Sequence, residues 1–104
     1  MTTFDDREKA FESKFAHDAE MQFRAEARRN KLVGLWAAGL LGKSADEATA
    51  YAMTVVEADF EEAGIEDVVR KVAADLTGHA SEDDIRAKMA EMLIVAKAQL
   101  MTEM

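Results

Sequence analysis

The chain has no cysteine and no proline in 104 residues. Without cysteine there is no disulfide, no zinc–thiolate site and no thiol nucleophile, and a reducing compartment is compatible. Without proline, no helix interior loses a backbone donor. Glycine is scarce at five, Trp and Tyr occur once each, and β-branched residues are few. What remains is dominated by helix formers, Ala, Glu, Lys, Leu, Met and Arg, which predicts an all-α protein. Histidine is limited to His17 and His79, with Lys14 and Leu76 three positions before them, so the Glu-x-x-His pairs of di-metal bundles are missing. Gly34, Gly39 and Gly42 do not fall in phosphate-loop spacing. The longest apolar run, within Asn30–Gly42, is far short of the roughly 20 residues that span a bilayer. The sequence marks no catalytic residue, no metal ligand and no cofactor site.

Charge is abundant but uneven. Residues 1–31 hold seven acids and seven bases, so the net charge of −8 resides entirely in residues 32–104. An acidic body argues against nucleic acid as a partner, because phosphate neutralisation needs surplus Lys and Arg. Acids at Asp5, Asp6 and Glu8 stand where a secretory leader needs basic residues, and the expected location is the cytoplasm. At this length the chain is one domain, or one domain with a tail.

Four helices are expected, near 20–41, 45–63, 66–77 and 82–101, forming a four-helix bundle. In the first, Met21, Ala25, Leu32, Trp36 and Leu40 are read as the inward face, with Val33 and Leu35 flanking. Leu32, Trp36 and Leu40 are the expected bundle anchor. Gly34 and Gly39 inside it suggest close approach of a second helix, and Gly42 suits a left-handed C-terminal cap. Ser44-Ala45-Asp46-Glu47 is a capping box, and Ser81-Glu82-Asp83-Asp84 opens the fourth helix. Gly64 and Gly78 close the second and third. Tyr51, Val55, Val56 and Phe60 line the second helix, and Val68, Val69, Val72 and Leu76 the third. The fourth turns Ile85, Met89, Met92, Leu93, Ala96 and Leu100 inward. His79 reads as solvated or capping.

The front of the chain is different. Thr3-Phe4-Asp5-Asp6 has a capping-box pattern. Phe4, Phe11 and Phe15 fall within about 40° of each other on a helical wheel, amid dense charge. Three rings cannot fix an isolated helix in water. Residues 1–20 are therefore expected to be a flexible or nascent-helical arm that orders on a partner, rooted in a bundle of residues 21–104. The alternative is that the stripe is covered by the bundle itself. His17 is a candidate for tuning arm binding near neutral pH.

The stretch FDDREKAFESKFAHDAEMQFRAEARRNK, joined to LVGLWAAGLLG, resembles the zeta subunit of alphaproteobacterial F-type ATP synthases. ADFEEAGIEDVVRKVAADL and IRAKM carry the same resemblance, which covers essentially the whole chain. Gly39 departs from the pattern, which has a charged residue there. The resemblance implies a four-helix inhibitor of ATP hydrolysis, not an enzyme. Its N-terminal helix would enter between catalytic α and β subunits near the central stalk and block hydrolytic rotation. Position by position, the partner-binding residues would be Phe4, Asp5, Asp6, Arg7, Glu8, Lys9, Phe11, Lys14, Phe15 and His17. The implied partner is the catalytic head of the ATP synthase, with the protein a monomer when free, peripheral at the inner membrane when bound, and not inserted in it. A second reading of the residues is an acidic helical module that binds a nucleotide or other small ligand, with Trp36, Tyr51 and Phe60 lining the pocket.

Overall fold

The computed structural model describes residues 19–59 and 64–103, and all the regular structure among them is helical. The elements are α1 (Ala19–Leu40), α2 (Ala45–Ala58), α3 (Glu66–Asp75) and α4 (Glu82–Glu103). The expected all-α, four-helix architecture is observed. Of the expected arm, residues 1–18 lie outside the described residues and Ala19 and Glu20 already belong to α1; Phe60 and the stretch to residue 63 also lie outside them.

The ends of the helices follow the capping chemistry. Lys43 N–H reaches Ala38 C=O at 3.0 Å and Gly42 N–H reaches Gly39 C=O at 3.2 Å, a complete Schellman close. It requires the left-handed φ of +72° that Gly42 supplies. At the start of α2, Ser44 Oγ accepts from Glu47 N–H and the Glu47 carboxylate accepts from Ser44 N–H at 2.9 Å. Ser81 and Asp84 repeat the exchange at α4, at 3.0 and 3.1 Å. Each box satisfies donors that the first turn of a helix leaves orphaned. α2 is shorter than the expected 45–63. It ends at Ala58, where Asp59 N–H bonds back to Val56 C=O and tightens the last turn.

α1 packs against each of the other three helices. The main core is contributed by all four: Val33 and Ala37 of α1, Val55 of α2, Val68, Val69 and Val72 of α3, and Ile85 and Met89 of α4, with Leu76 capping α3. A smaller cluster, Met21, Ala25 and Leu100, joins the beginning of α1 to the end of α4.

The inward face of α1 is as expected at Met21 and Ala25 and differs from the expected one beyond them. Leu40 is exposed, Leu32 is half-buried, and Trp36 packs partly against the core with Lys88 Nζ 5.4 Å from its ring centroid. The innermost residues are instead Val33, Gly34, Ala37 and Ala38. The cause is the approach of α2: a Cβ on Gly34 would lie 2.7 Å from the Ala52 Cα. Helices this close meet along small side chains, and the large ones turn to the flanks. Gly39 has no such role, since a Cβ there would meet nothing within 4 Å.

Candidate functional site

None of the arm residues proposed as partner-binding, Phe4 through His17, is among the described residues. What the structure does describe is the ground from which that segment departs. α1 begins at Ala19, and within its first turn its residues line a groove of about 590 Å³. One wall is α1, with Met21, Phe23, Arg24, Ala27, Arg28 and Lys31; Met53 and Val56 of α2 and Leu100 and Glu103 of α4 complete it. Phe23 is 51% exposed and Met53 47%, so apolar surface reaches solvent here.

The charge in the groove is unlike that of the rest of the molecule. Arg24, Arg28 and Lys31 face a single carboxylate, Glu103. Arg28 grips Glu103 through both guanidinium Nη atoms, one of them at 2.9 Å, and also donates to Gln99 Oε1 at 3.3 Å. The hydrogen bond holds the Glu103 carboxyl below the usual carboxylate range. Arg24 donates to Glu20 at 2.9 Å one turn earlier in α1. Sequence reasoning missed this site, because it read α1 from Met21 onward as a core-facing helix. The legible signal was the exposed Phe23, which lies off the Phe4–Phe11–Phe15 stripe.

Next to it lies an unexpected buried polar cluster. Arg29 and Asn30 are buried in α1 and Asp67 in the first turn of α3. Arg29 Nε donates to Asn30 Oδ1 at 3.1 Å, and Arg70 donates to Asp67 Oδ1 at 3.3 Å. Burial pushes the Arg29 guanidinium down, against the pull of Glu26 and Asp59. Burial pushes the Asp59 carboxyl up, reinforced by Glu26 and Asp67 and opposed by Arg29 and Asn30. Asn30 Nδ2 and Asp67 Oδ2 are buried without a hydrogen-bond partner among the described residues.

Of the aromatics in the small-ligand reading, Phe60 lies outside the described residues, and Trp36 and Tyr51 pack partly against the main core. Tyr51 is a clamp: its hydroxyl donates to Asp75 at 2.8 Å, Lys71 also donates to Asp75 at 2.9 Å, and Lys43 and Lys71 lie over the ring at 5.7 and 5.2 Å. Burial and the Asp75 contact push the Tyr51 hydroxyl well up. The groove is lined by neither aromatic. Among the described residues no three or more His, Cys, Asp or Glu side chains are grouped to hold a metal. Nor is any described helix long and apolar enough to cross a membrane.

The arrangement defines a four-helix protein whose described surface offers an amphipathic, locally cationic groove at the root of an N-terminal segment. The chain belongs to the ATPase inhibitor subunit zeta family, whose model matches residues 1–99. A structure solved by NMR in solution is 65% identical, with a TM-score of 0.76 over 81% of this chain and 99% of that one. No curated protein matches the chain.

Proposed function

We propose that the protein inhibits ATP hydrolysis by an F-type ATP synthase. Residues 1–20 are the inhibitory arm, and residues 21–104 are the bundle that carries it. The arm enters between catalytic α and β subunits near the central stalk and blocks rotation in the hydrolytic direction. The observation that carries this reading is the extent of the family match: it spans residues 1–99, arm and bundle together. The physics of the arm supports it. Phe4, Phe11 and Phe15 make a narrow apolar stripe flanked by Asp5, Asp6, Arg7, Glu8, Lys9 and Lys14. Such a segment folds as a helix when a cleft covers the stripe, and its charges steer the encounter. The protein acts by contact and has no chemistry of its own.

The test pairs an ATPase assay with a thermal melt on a protein lacking residues 1–18. The expected result is an unchanged melt, because Met21 onward carries a continuous core face, together with loss of inhibition. Inhibition that survives the deletion would show that the effector is elsewhere. On the full chain, Phe15→Ala is expected to weaken binding tenfold or more, since a buried Phe is worth about 1.5–3 kcal/mol. Lys14→Ala is expected to slow association and alter its salt dependence instead.

A further inference from the structure

We propose that a water molecule is bound inside the protein at the seam of α1 and α3, accepting a hydrogen bond from Asn30 Nδ2 and donating one to Asp67 Oδ2. The site is independent of the inhibitory reading.

Two buried atoms define it. Asn30 is fully buried and Asp67 is 4% exposed. Asn30 Oδ1 accepts from Arg29 Nε at 3.1 Å, which fixes the orientation of the amide, since turning it over would set N–H against N–H. Nδ2 is therefore the other end, a donor with no hydrogen-bond partner among the described residues. Asp67 Oδ1 accepts from Arg70 at 3.3 Å, and Oδ2 has no such partner either. α1 packs against α3 here: Val33, one turn on from Asn30, and Val68, next to Asp67, share the main core. Both side chains also act on one neighbour, the Asp59 carboxyl. Asp67 pushes it up, and Asn30 draws it down without closing a hydrogen bond to it. One donor and one acceptor thus stand unsatisfied around the same carboxylate. Buried polar atoms are almost always paired, because an unpaired one bears its whole desolvation cost.

The needs of the two atoms select the ligand. Nδ2 requires an acceptor and Oδ2 a donor. A metal cation would suit Asp67 and Asp59 but would meet the Asn30 N–H groups and the buried Arg29 guanidinium. Nor are three His, Cys, Asp or Glu side chains grouped to hold one among the described residues. An anion would suit Asn30 and Arg29 but would meet two carboxylates. Water accepts and donates at once. With Asp59 as a third polar neighbour it has as many partners as buried waters usually have.

The test is nuclear magnetic resonance on the isotope-labelled full chain. The Asn30 side-chain amide protons should show cross-peaks at the water frequency, with NOE and ROE of opposite sign, as for water that tumbles with the protein. Missing peaks would mean a dry seam, and peaks of the same sign would mean exchange or brief contact with bulk solvent; either overturns the proposal. Asp59→Asn removes a carboxyl proton that could relay exchange, and the cross-peaks should persist in it; their loss would overturn the proposal too. A double-mutant cycle then asks whether the two atoms share the site. Asn30→Leu and Asp67→Leu should each lower the folding equilibrium constant. The double variant should lose at least about threefold less than the product of the single losses, as coupled neighbours do. Additive losses would refute the bridge. A direct hydrogen bond from Nδ2 to Oδ2 would couple the pair as well, but without the water cross-peaks. Those peaks are read on the parent protein, so they decide the matter even where a leucine variant fails to fold.

Discussion

The two ends of α1 live in different surroundings. From Val33 to Ala38 the helix is enclosed by α2, α3 and α4, and small residues lie innermost because Ala52 comes close to Gly34. From Met21 to Lys31 it has α4 on one flank, a small cluster beneath and the groove open beside it. The same helix therefore buries alanines completely at one end and leaves Phe23 half in solvent at the other. Burial is decided by what approaches a residue, not by how apolar it is. The enclosed end supplies the main core; the other end leaves Phe23 and Lys31 exposed.

The sharpest way to test this contrast is to truncate one large side chain in each region. Leu76→Ala empties a fully buried position in the main core. The expected loss is about 2–5 kcal/mol, read as a large fall in denaturation midpoint. Phe23→Ala, at the open end, should cost less than about 1 kcal/mol, as exposed substitutions do. Equal costs would mean that the two ends are one continuous core.

The glycines of α1 divide the same way, with smaller effects of opposite sign. Gly34→Ala puts a methyl 2.7 Å from the Ala52 Cα and 3.2 Å from Val55 Cγ2, so α1 and α2 must separate. Overpacking of this kind costs about 1–3 kcal/mol. Gly39→Ala meets nothing and should gain up to about 1 kcal/mol from helix propensity alone. Denaturant unfolding of both variants checks the pair. A stabilising Gly34→Ala would refute the close approach.

These glycines also show what the sequence disclosed. It held local rules well: the Ser44 and Ser81 boxes, the Gly42 close and the apolar faces of α3 and α4 are as read, because each depends on residues within one or two turns. It placed Met21 and Ala25 correctly and misjudged the face of α1 beyond them. The large residues at Leu32, Trp36 and Leu40 form a proper stripe, but a partner helix selected the small-residue stripe beside it. Nothing local to α1 specifies how near α2 will come. The buried Arg29, Asn30 and Asp67 were missed as well: their hydrogen bonds are local, Arg29 to Asn30 within α1 and Arg70 to Asp67 within α3, and nothing in those turns specifies that they are buried. The groove was invisible as well, being formed by α1, α2 and α4 together. Of the proposed site, the Phe stripe is an expectation from spacing that lies outside the described residues.

The smallest effect expected lies where the two regions meet, at Asp59. It is the C-terminal cap of α2, where the helix dipole disfavours an acid, and burial with Glu26 and Asp67 nearby pushes its carboxyl up. A raised folded-state value means that the folded protein holds this proton more tightly than the unfolded chain. The stability so gained is present while Asp59 is protonated and is lost as pH rises from the ordinary carboxylate range through the raised value. Asp59→Asn imitates the protonated form. It should therefore stabilise by about 0.3–1 kcal/mol at neutral pH, with the gain vanishing near pH 3, where the native carboxyl is protonated in both states. Glu47 and Asp84 behave oppositely. The Ser44 and Ser81 backbone amides hold them below the usual range, so their contribution is present above that range and fades as pH falls. Glu47→Gln should thus destabilise at neutral pH and approach the parent under acid. Melting curves of the two variants from pH 3 to pH 7 should converge on the parent at the acid end from opposite sides. An Asp59→Asn protein that melts below the parent at neutral pH would mean that the charge on Asp59 is needed to balance buried Arg29.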